Sequence, residues 1–161
     1  MNTETLIKLP VQAAKPVATP ALVTRLAEQF GAAWLDETTV EAWSREGGDA
    51  VVLLAGDPVQ FPEGLDVAVV LPELIRAVAQ PVRIGVVPRE REDALARRYG
   101  SQRWPSLLFL RDGQYVTTLA GMHDWDVYVE RFRAALAAPV SRVPGIGIPL
   151  VSATAGGASC H

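Results

Sequence analysis

The sequence predicts an α/β fold with a central mixed sheet of about four to five strands flanked by helices. Three observations carry that expectation. Helical and strand periodicities alternate between residues 20 and 138, which is the pattern of layered α/β domains. Ala50-Val51-Val52-Leu53-Leu54-Ala55 is an unbroken β-branched and apolar run, the mark of a strand covered on both faces. Arg111-Asp112-Gly113 joins two apolar runs through an Asp-Gly turn, which closes an antiparallel hairpin on a sheet whose earlier strands are linked by helical crossovers.

At 161 residues, with 49% hydrophobic and 20% charged side chains, one soluble domain with a real core is the expectation. Residues 1–19 contain two prolines, with a third directly after them at Pro20, and no apolar period, and read as a flexible arm. The domain is expected over 20–138, with an extra N-terminal helix over 20–31. Val23, Leu26, Ala27 and Phe30 fall at i, i+3, i+4, i+7, and Gly31 stops that helix. Ala33-Trp34-Leu35 is a short strand. Asp36 or a following threonine caps the next helix, which buries Val40 and Trp43 and ends at Gly47-Gly48.

After the Ala50–Ala55 strand, Gly56 to Pro62 is a loop of turn formers. From Gly64 the residues Val67, Val70, Leu71, Leu74, Ile75 and Val78 mark a helix that Pro72 should bend. Val82–Val87 is a strand, and Glu90 to Tyr99 a charged helix ended by Gly100. Ser106–Leu110 and Gln114–Leu119 form the hairpin. The last helix starts near Asp124 and carries Trp125, Tyr128, Val129, Phe132 and Leu136 on one face. Trp34, Trp43 and Trp125 are expected in the core, since each falls on an apolar stripe. Residues 139–161 are rich in Pro, Gly, Ala and Ser and are expected to form a disordered tail.

The net charge of −3 conceals an asymmetry. Ten acidic residues and one base, Arg45, lie between Glu28 and Glu73, whereas eight arginines and three acids lie between Leu74 and Arg111. Each single charge reads as part of a solvated face; the acidic run as a whole reads as a partner surface. Nucleic acid is not an expected partner of so acidic a half. No stretch approaches the roughly 18–20 apolar residues of a membrane span, and Pro10, Pro16 and Pro20 interrupt any signal-peptide core.

Candidate chemistry is sparse. The single cysteine, Cys160, excludes a disulfide within the chain and fits a reducing cytoplasm. His123 has no neighbours that would complete a metal set of three or four donors, and the Cys160-His161 pair is too small to be one. Gly56, Gly64 and Gly113 do not make a phosphate loop. No catalytic residue, metal or cofactor is expected.

The order of elements over roughly residues 33–138 is similar to the thioredoxin fold, down to a helix with an internal proline and an x-Pro-strand-turn segment, Trp104-Pro105-Ser106-Leu107-Leu108-Phe109-Leu110-Arg111-Asp112-Gly113. Aligned on Pro72, the segment Gly64-Leu65-Asp66-Val67 stands where that fold carries Cys-x-x-Cys. Dithiol exchange needs two adjacent sulfurs, so the resemblance implies the scaffold without the reaction. It also implies that Pro105 is cis and forms an edge where extended substrates dock.

Within that superfamily the chain resembles the hydrogenase accessory proteins of the HyaE, HupG and HoxO type. The resemblance rests on the cysteine-free body, Pro62-Glu63-Gly64, the Arg-x-Trp-Pro-Ser-Leu-Leu-Phe segment, and Gly121-Met122. It implies a non-catalytic chaperone in nickel–iron hydrogenase maturation. Such a protein binds the small-subunit precursor with its twin-arginine signal peptide before export, and a second accessory protein can share the client. A basic, partly apolar signal calls for carboxylates beside an apolar floor. Asp57, Glu63, Asp66 and Glu73 are the expected carboxylates; Phe61, Leu65, Trp104 and Pro105 are the expected floor and edge. Trp104 is equally readable as groove wall or core. Two other functions stay open: a thiol oxidoreductase acting through Cys160, and a general peptide-binding scaffold.

Overall fold

The computed structural model describes residues 18–145. Residues 1–17 of the expected arm and 146–161 of the expected tail, Cys160 among them, lie outside the described residues. The elements are α1 (Ala21–Phe30), β1 (Ala33–Trp34), α2 (Val40–Ser44), β2 (Asp49–Leu54), α3 (Glu63–Val78), β3 (Arg83–Val86), α4 (Arg89–Arg98), β4 (Ser106–Arg111), β5 (Gln114–Ala120) and α5 (Trp125–Ala137). Type and order match the sequence expectation throughout, with bounds shifted by about one to four residues.

The five strands lie in the order β1-β3-β2-β4-β5. β1, β3 and β2 are mutually parallel, whereas β4 runs antiparallel to both β2 and β5. The two-fold alternation of side chains then divides the core. Val51, Leu53, Ile84, Val86, Leu107 and Phe109 face α1, α3 and α5. Ala50, Val52, Leu54, Leu108 and Leu110 face α2 and α4. Both faces of β2 are buried, which is why its sequence shows no polar alternation.

Asp36 prepares α2: its Oδ1 accepts from the backbone N–H groups of Thr38 at 2.8 Å and Thr39 at 3.1 Å. The Asp112-Gly113 turn has both residues at positive φ, 50° and 85°, the geometry that matches the strand twist in a two-residue hairpin. A register shift beside Phe109 and Leu110 leaves an extra residue in β5, a bulge that bends this edge strand.

Two of the three tryptophans expected in the core are not there. Trp34 is 44% exposed because β1 is only two residues long and forms the sheet edge. Trp125 is 46% exposed because α5 turns Tyr128 and Phe132 inward instead. Trp43 is half-buried under the Arg83 guanidinium, 4.4 Å from the ring centre. α3 runs through Pro72 as one helix from Glu63 to Val78, with the proline buried. Beyond α5 the chain keeps contact with the body: Ser141 N donates to Tyr115 O at 2.7 Å and its hydroxyl to Val116 O at 3.0 Å. Among the described residues, contacts with the body thus continue past residue 138.

Much of the charge asymmetry is internal. Glu37 pairs with Arg91 at 2.7 Å, Glu41 with Arg98 at 2.7 Å, Asp49 with Arg111 at 2.7 Å and Glu46 with Arg83 at 3.6 Å. Asp36 also approaches Arg91, at 3.8 Å. With Glu73, paired to Arg76 at 2.7 Å, six of the ten acids in the run are matched to arginines of the second half, so much of the run is engaged within the fold. Arg111 does more than pair: its guanidinium also donates to Leu136 O and Ala138 O, both at 2.8 Å, closing the C-terminal end of α5.

The N-terminus of α3 is seated directly on the end of β2. A Cβ on Gly64 would fall within the van der Waals radius of the Ala55 carbonyl oxygen, and that neighbour is backbone and cannot swing aside. Gly64→Ala should therefore lower stability by about 2–3 kcal/mol, to be measured as a drop in the urea midpoint; an unchanged midpoint would show that this contact is not tight.

Candidate functional site

The loop between β2 and α3 and the turn before β4 converge on the same two residues, Ala55 and Gly56. Gly56 has φ 83°, and a Cβ there would stand 3.0 Å from Trp104 Cβ and 3.1 Å from Phe61 Cδ2. Only glycine meets both the backbone angle and the spacing. Phe61 and Trp104 are both half-buried, with ring centres 6.4 Å apart and planes inclined by 35°. The Trp104–Pro105 bond is cis, and Pro105 O accepts from Gly121 N at 2.8 Å. Phe61, Gln102, Arg103, Trp104, Ala120 and Gly121 line a cleft of about 340 Å³.

The sequence-named residues divide by position. Phe61 and Trp104 meet at this cleft, whereas Pro105, expected as its edge, is buried and is not among the lining residues. Glu63, Leu65 and Asp66 stand on the first turn of α3; both acids are exposed, with no ion-pair partner among the described residues, and Leu65 is half-buried. Anionic side chains there face the positive end of the helix dipole. Asp57 is engaged by its own loop: its Oδ1 accepts from Val59 N at 2.7 Å and Gln60 N at 3.3 Å. Glu73 lies nearly three turns further down α3, paired with Arg76 at 2.7 Å. The cleft and the first turn form one surface; Asp57 shapes its loop, and Glu73 lies away from it.

Three residues that sequence reading passed over underlie this surface. Glu92 is 2% exposed, and its Oε2 accepts from Ala55 N at 2.7 Å while Oε1 accepts from Gly56 N at 3.1 Å. Arg89 Nη1 donates to the same Oε1 at 3.1 Å, and the Arg89 Cζ lies 5.7 Å from the Trp104 ring centre. Gly56 is the third. A signal for Glu92 was present: it falls in phase with Leu95, Ala96 and Tyr99, so a carboxylate sits on the apolar stripe of α4. Burial pushes Glu92 up to about 7, against the opposing pull of the Ala55 N–H, Arg89 and the Gly56 N–H. His123 Nε2 is 2.8 Å from Ala120 O, and its ring packs edge-on against buried Tyr128, whose own phenol burial pushes above its ordinary range.

Among the described residues no cluster of three or more His, Cys, Asp or Glu could hold a metal ion, and no helix is long and apolar enough to cross a membrane. A larger apolar groove, about 570 Å³, is lined by Phe30, Trp43, Pro72, Ile75, Val82 and Ile84 among others. It lies where β3 begins, at the opposite end of the parallel strands from the Trp104 cleft, and shares no lining residue with it.

Residues 22–128 match the family model described as hydrogenase-1 expression protein HyaE. Hydrogenase expression/formation protein HoxO of Cupriavidus necator is 59% identical over 146 residues, covering 89% of this chain and 90% of the relative. Hydrogenase expression/formation protein HupG of Bradyrhizobium diazoefficiens is 39% identical over 121 residues, covering 73% and 82%. Among solved structures, a mutant thioredoxin from Halobacterium salinarum aligns with a TM-score of 0.52 at 18% identity, over 70% of this chain and 93% of that one, which establishes the thioredoxin-like fold.

Glu92 sets a pH dependence of stability whose sign follows from its raised folded-state value. The unfolded carboxyl ionises near 4.5 and the folded one near 7, so its contribution is full below the first value and is lost as pH rises through the second. From about pH 5 to about pH 8, wild type should lose roughly 2–3 kcal/mol relative to Glu92→Gln. Urea unfolding at the two pH values measures this; parallel behaviour of the two proteins would refute it.

Proposed function

The chain belongs to the HyaE family of hydrogenase expression proteins, with HoxO and HupG among its relatives, and from that membership we propose that it is a non-catalytic chaperone of the hydrogenase small-subunit precursor. It acts in the cytoplasm and holds the precursor through its twin-arginine signal peptide before export. Its role in hydrogenase expression and formation is the family's; the chaperone step, the client and the compartment are the proposal.

The observation that carries the reading is the pairing of a cleft walled by two aromatic rings with unpaired carboxylates on the adjoining first turn of α3. Phe61 and Trp104, the latter set by the cis bond to buried Pro105, offer a wall along which an extended segment lies, as in the thioredoxin-like scaffold. Glu63 and Asp66 stand beside it without an ion-pair partner among the described residues. Guanidinium groups meet carboxylates in bidentate, charge-assisted contacts, and the apolar part of a signal segment suits the aromatic cleft. Arg103, exposed on the other rim, repels a basic segment and so directs it toward α3. Disulfide chemistry is absent from this surface for a sequence reason: Gly64-Leu65-Asp66-Val67 supplies no thiol.

Charge reversal tests the reading. Glu63→Lys with Asp66→Lys should weaken capture of the precursor about tenfold, the sum of two part-exposed ion pairs at somewhat under 1 kcal/mol each. The loss should shrink as salt rises. Cys160→Ser should leave capture and hydrogenase activity unchanged. Equal capture by the charge-reversed protein at low and moderate salt would remove α3 from the docking surface, and disulfide turnover lost in Cys160→Ser would replace the chaperone with a thiol oxidoreductase.

A further inference from the structure

Arg89 is shared between two carboxylates of unequal burial. Its Nη1 stands 3.1 Å from Glu92 Oε1, on a side chain 2% exposed, and 3.7 Å from Asp93 Oδ1, on a side chain 64% exposed. Its Nε is buried with no hydrogen-bond partner among the described residues. One guanidinium nitrogen thus reaches a buried and an exposed carboxylate at once, while the Arg89 Cζ lies 5.7 Å from the Trp104 ring centre.

We propose that Glu92 is a positioning residue for the docking wall: its carboxylate draws Arg89 inward against Trp104, and when it takes up a proton Arg89 turns toward Asp93 and water and the Trp104 side chain is released. The latch itself is independent of any client; only its consequence for docking rests on the function proposed above.

The stereochemistry decides which contact yields. Three N–H donors, from Ala55, Gly56 and Arg89, converge on two carboxylate oxygens. Protonation takes one of the four lone-pair positions and removes the negative charge, so the contact that depends on that charge, the one from Arg89, weakens most. The Ala55 and Gly56 groups are fixed where β2 meets α3 and cannot turn. Arg89 carries its donor on a long side chain and can. With Glu92 neutral, a largely buried guanidinium that already has an orphaned Nε keeps only the longer contact to Asp93, which favours turning toward it. Asp93 is the outlet. Arg89 and, across it, Asp93 are the charged groups facing Glu92; the neighbouring Thr19, Pro20, Val23, Ala55, Gly56 and Val87 bring no titrating side chain. Burial sets the proton uptake near neutrality, so the latch responds within the pH range of a cell.

Amide and indole N–H correlation spectra of the full chain test this directly, recorded from about pH 5.5 to about pH 8.5. In the wild type, the Ala55 and Gly56 amide signals and the Trp104 indole signal, assigned with Trp104→Phe, should titrate together with a common midpoint near 7. In Arg89→Gln the two amides should still titrate while the Trp104 indole stands still. In Glu92→Gln all three should be flat. If that variant fails to fold, the Arg89→Gln comparison decides alone. A Trp104 signal that ignores pH in the wild type, or that moves unchanged in Arg89→Gln, overturns the latch. A labelled synthetic peptide with adjacent arginines before an apolar stretch should bind about threefold more tightly at the alkaline end in the wild type, the weight of one cation–π contact, and show no such ratio in Arg89→Gln. Co-titration with no peptide binding at any pH would overturn the docking reading while leaving the latch standing.

Discussion

The backbone at Ala55 and Gly56, where β2 leaves the sheet, is the constraint on which the functional face depends. It is held from three directions. The first turn of α3 presses Gly64 against the Ala55 carbonyl. Phe61 and Trp104 close over Gly56. From beneath, Glu92 accepts both N–H groups. Two short-range steric contacts and one buried carboxylate thus fix loop, helix start and proline turn relative to one another. A side chain at either glycine position, or loss of the acceptor below, disturbs all three elements together because they share one backbone reference.

The opposed charges of the two halves of the chain have a structural outlet. Acids around α2 and the start of β2 meet arginines on β3, α4 and β4, so residues roughly 35 to 60 apart in sequence are paired in space. Exposed pairs of this kind contribute little each, about 0–1 kcal/mol. Their effect on specificity is larger: pairing consumes the acids on the α2 side and leaves Glu63 and Asp66, beside the aromatic cleft, as carboxylates available to a cation. Arginine is suited to the partly buried members of the set, since its planar fork reaches backbone carbonyls as well as carboxylates, as Arg83 and Arg111 both show.

A thioredoxin-like scaffold positions its redox sulfurs at the start of the helix after the second strand, and this chain retains the geometry of that position with Gly64-Leu65-Asp66-Val67 in it. The glycine there serves close approach to β2, the leucine contributes apolar surface, and the aspartate sits where a helix N-terminus favours negative charge. The position thus carries close packing, apolar surface and charge where the scaffold elsewhere carries sulfur. Such a substitution is compatible with the fold because the sulfurs of a dithiol contribute reactivity and little packing.

The sequence by itself determined the order and type of every element, because each is written in a local period: unbroken apolar residues for β2, i, i+3, i+4 spacing for α1 and α3, and Asp-Gly for the hairpin. It also determined the absence of dithiol chemistry, which depends only on which residues are present. The proximity of Phe61 and Trp104 and the cis bond at Pro105 were legible through the resemblance to the thioredoxin fold. Tertiary structure alone decided the rest. Which acids remained free depended on arginines far along the chain, and no local pattern reports such pairing. Whether Trp34 and Trp125 were buried depended on strand length and helix rotation at the edges of the sheet. Glu92 carried a trace in its apolar register, yet its partners are two backbone N–H groups more than thirty residues away. A buried charge is defined by what surrounds it, and its surroundings exist only once the chain has folded.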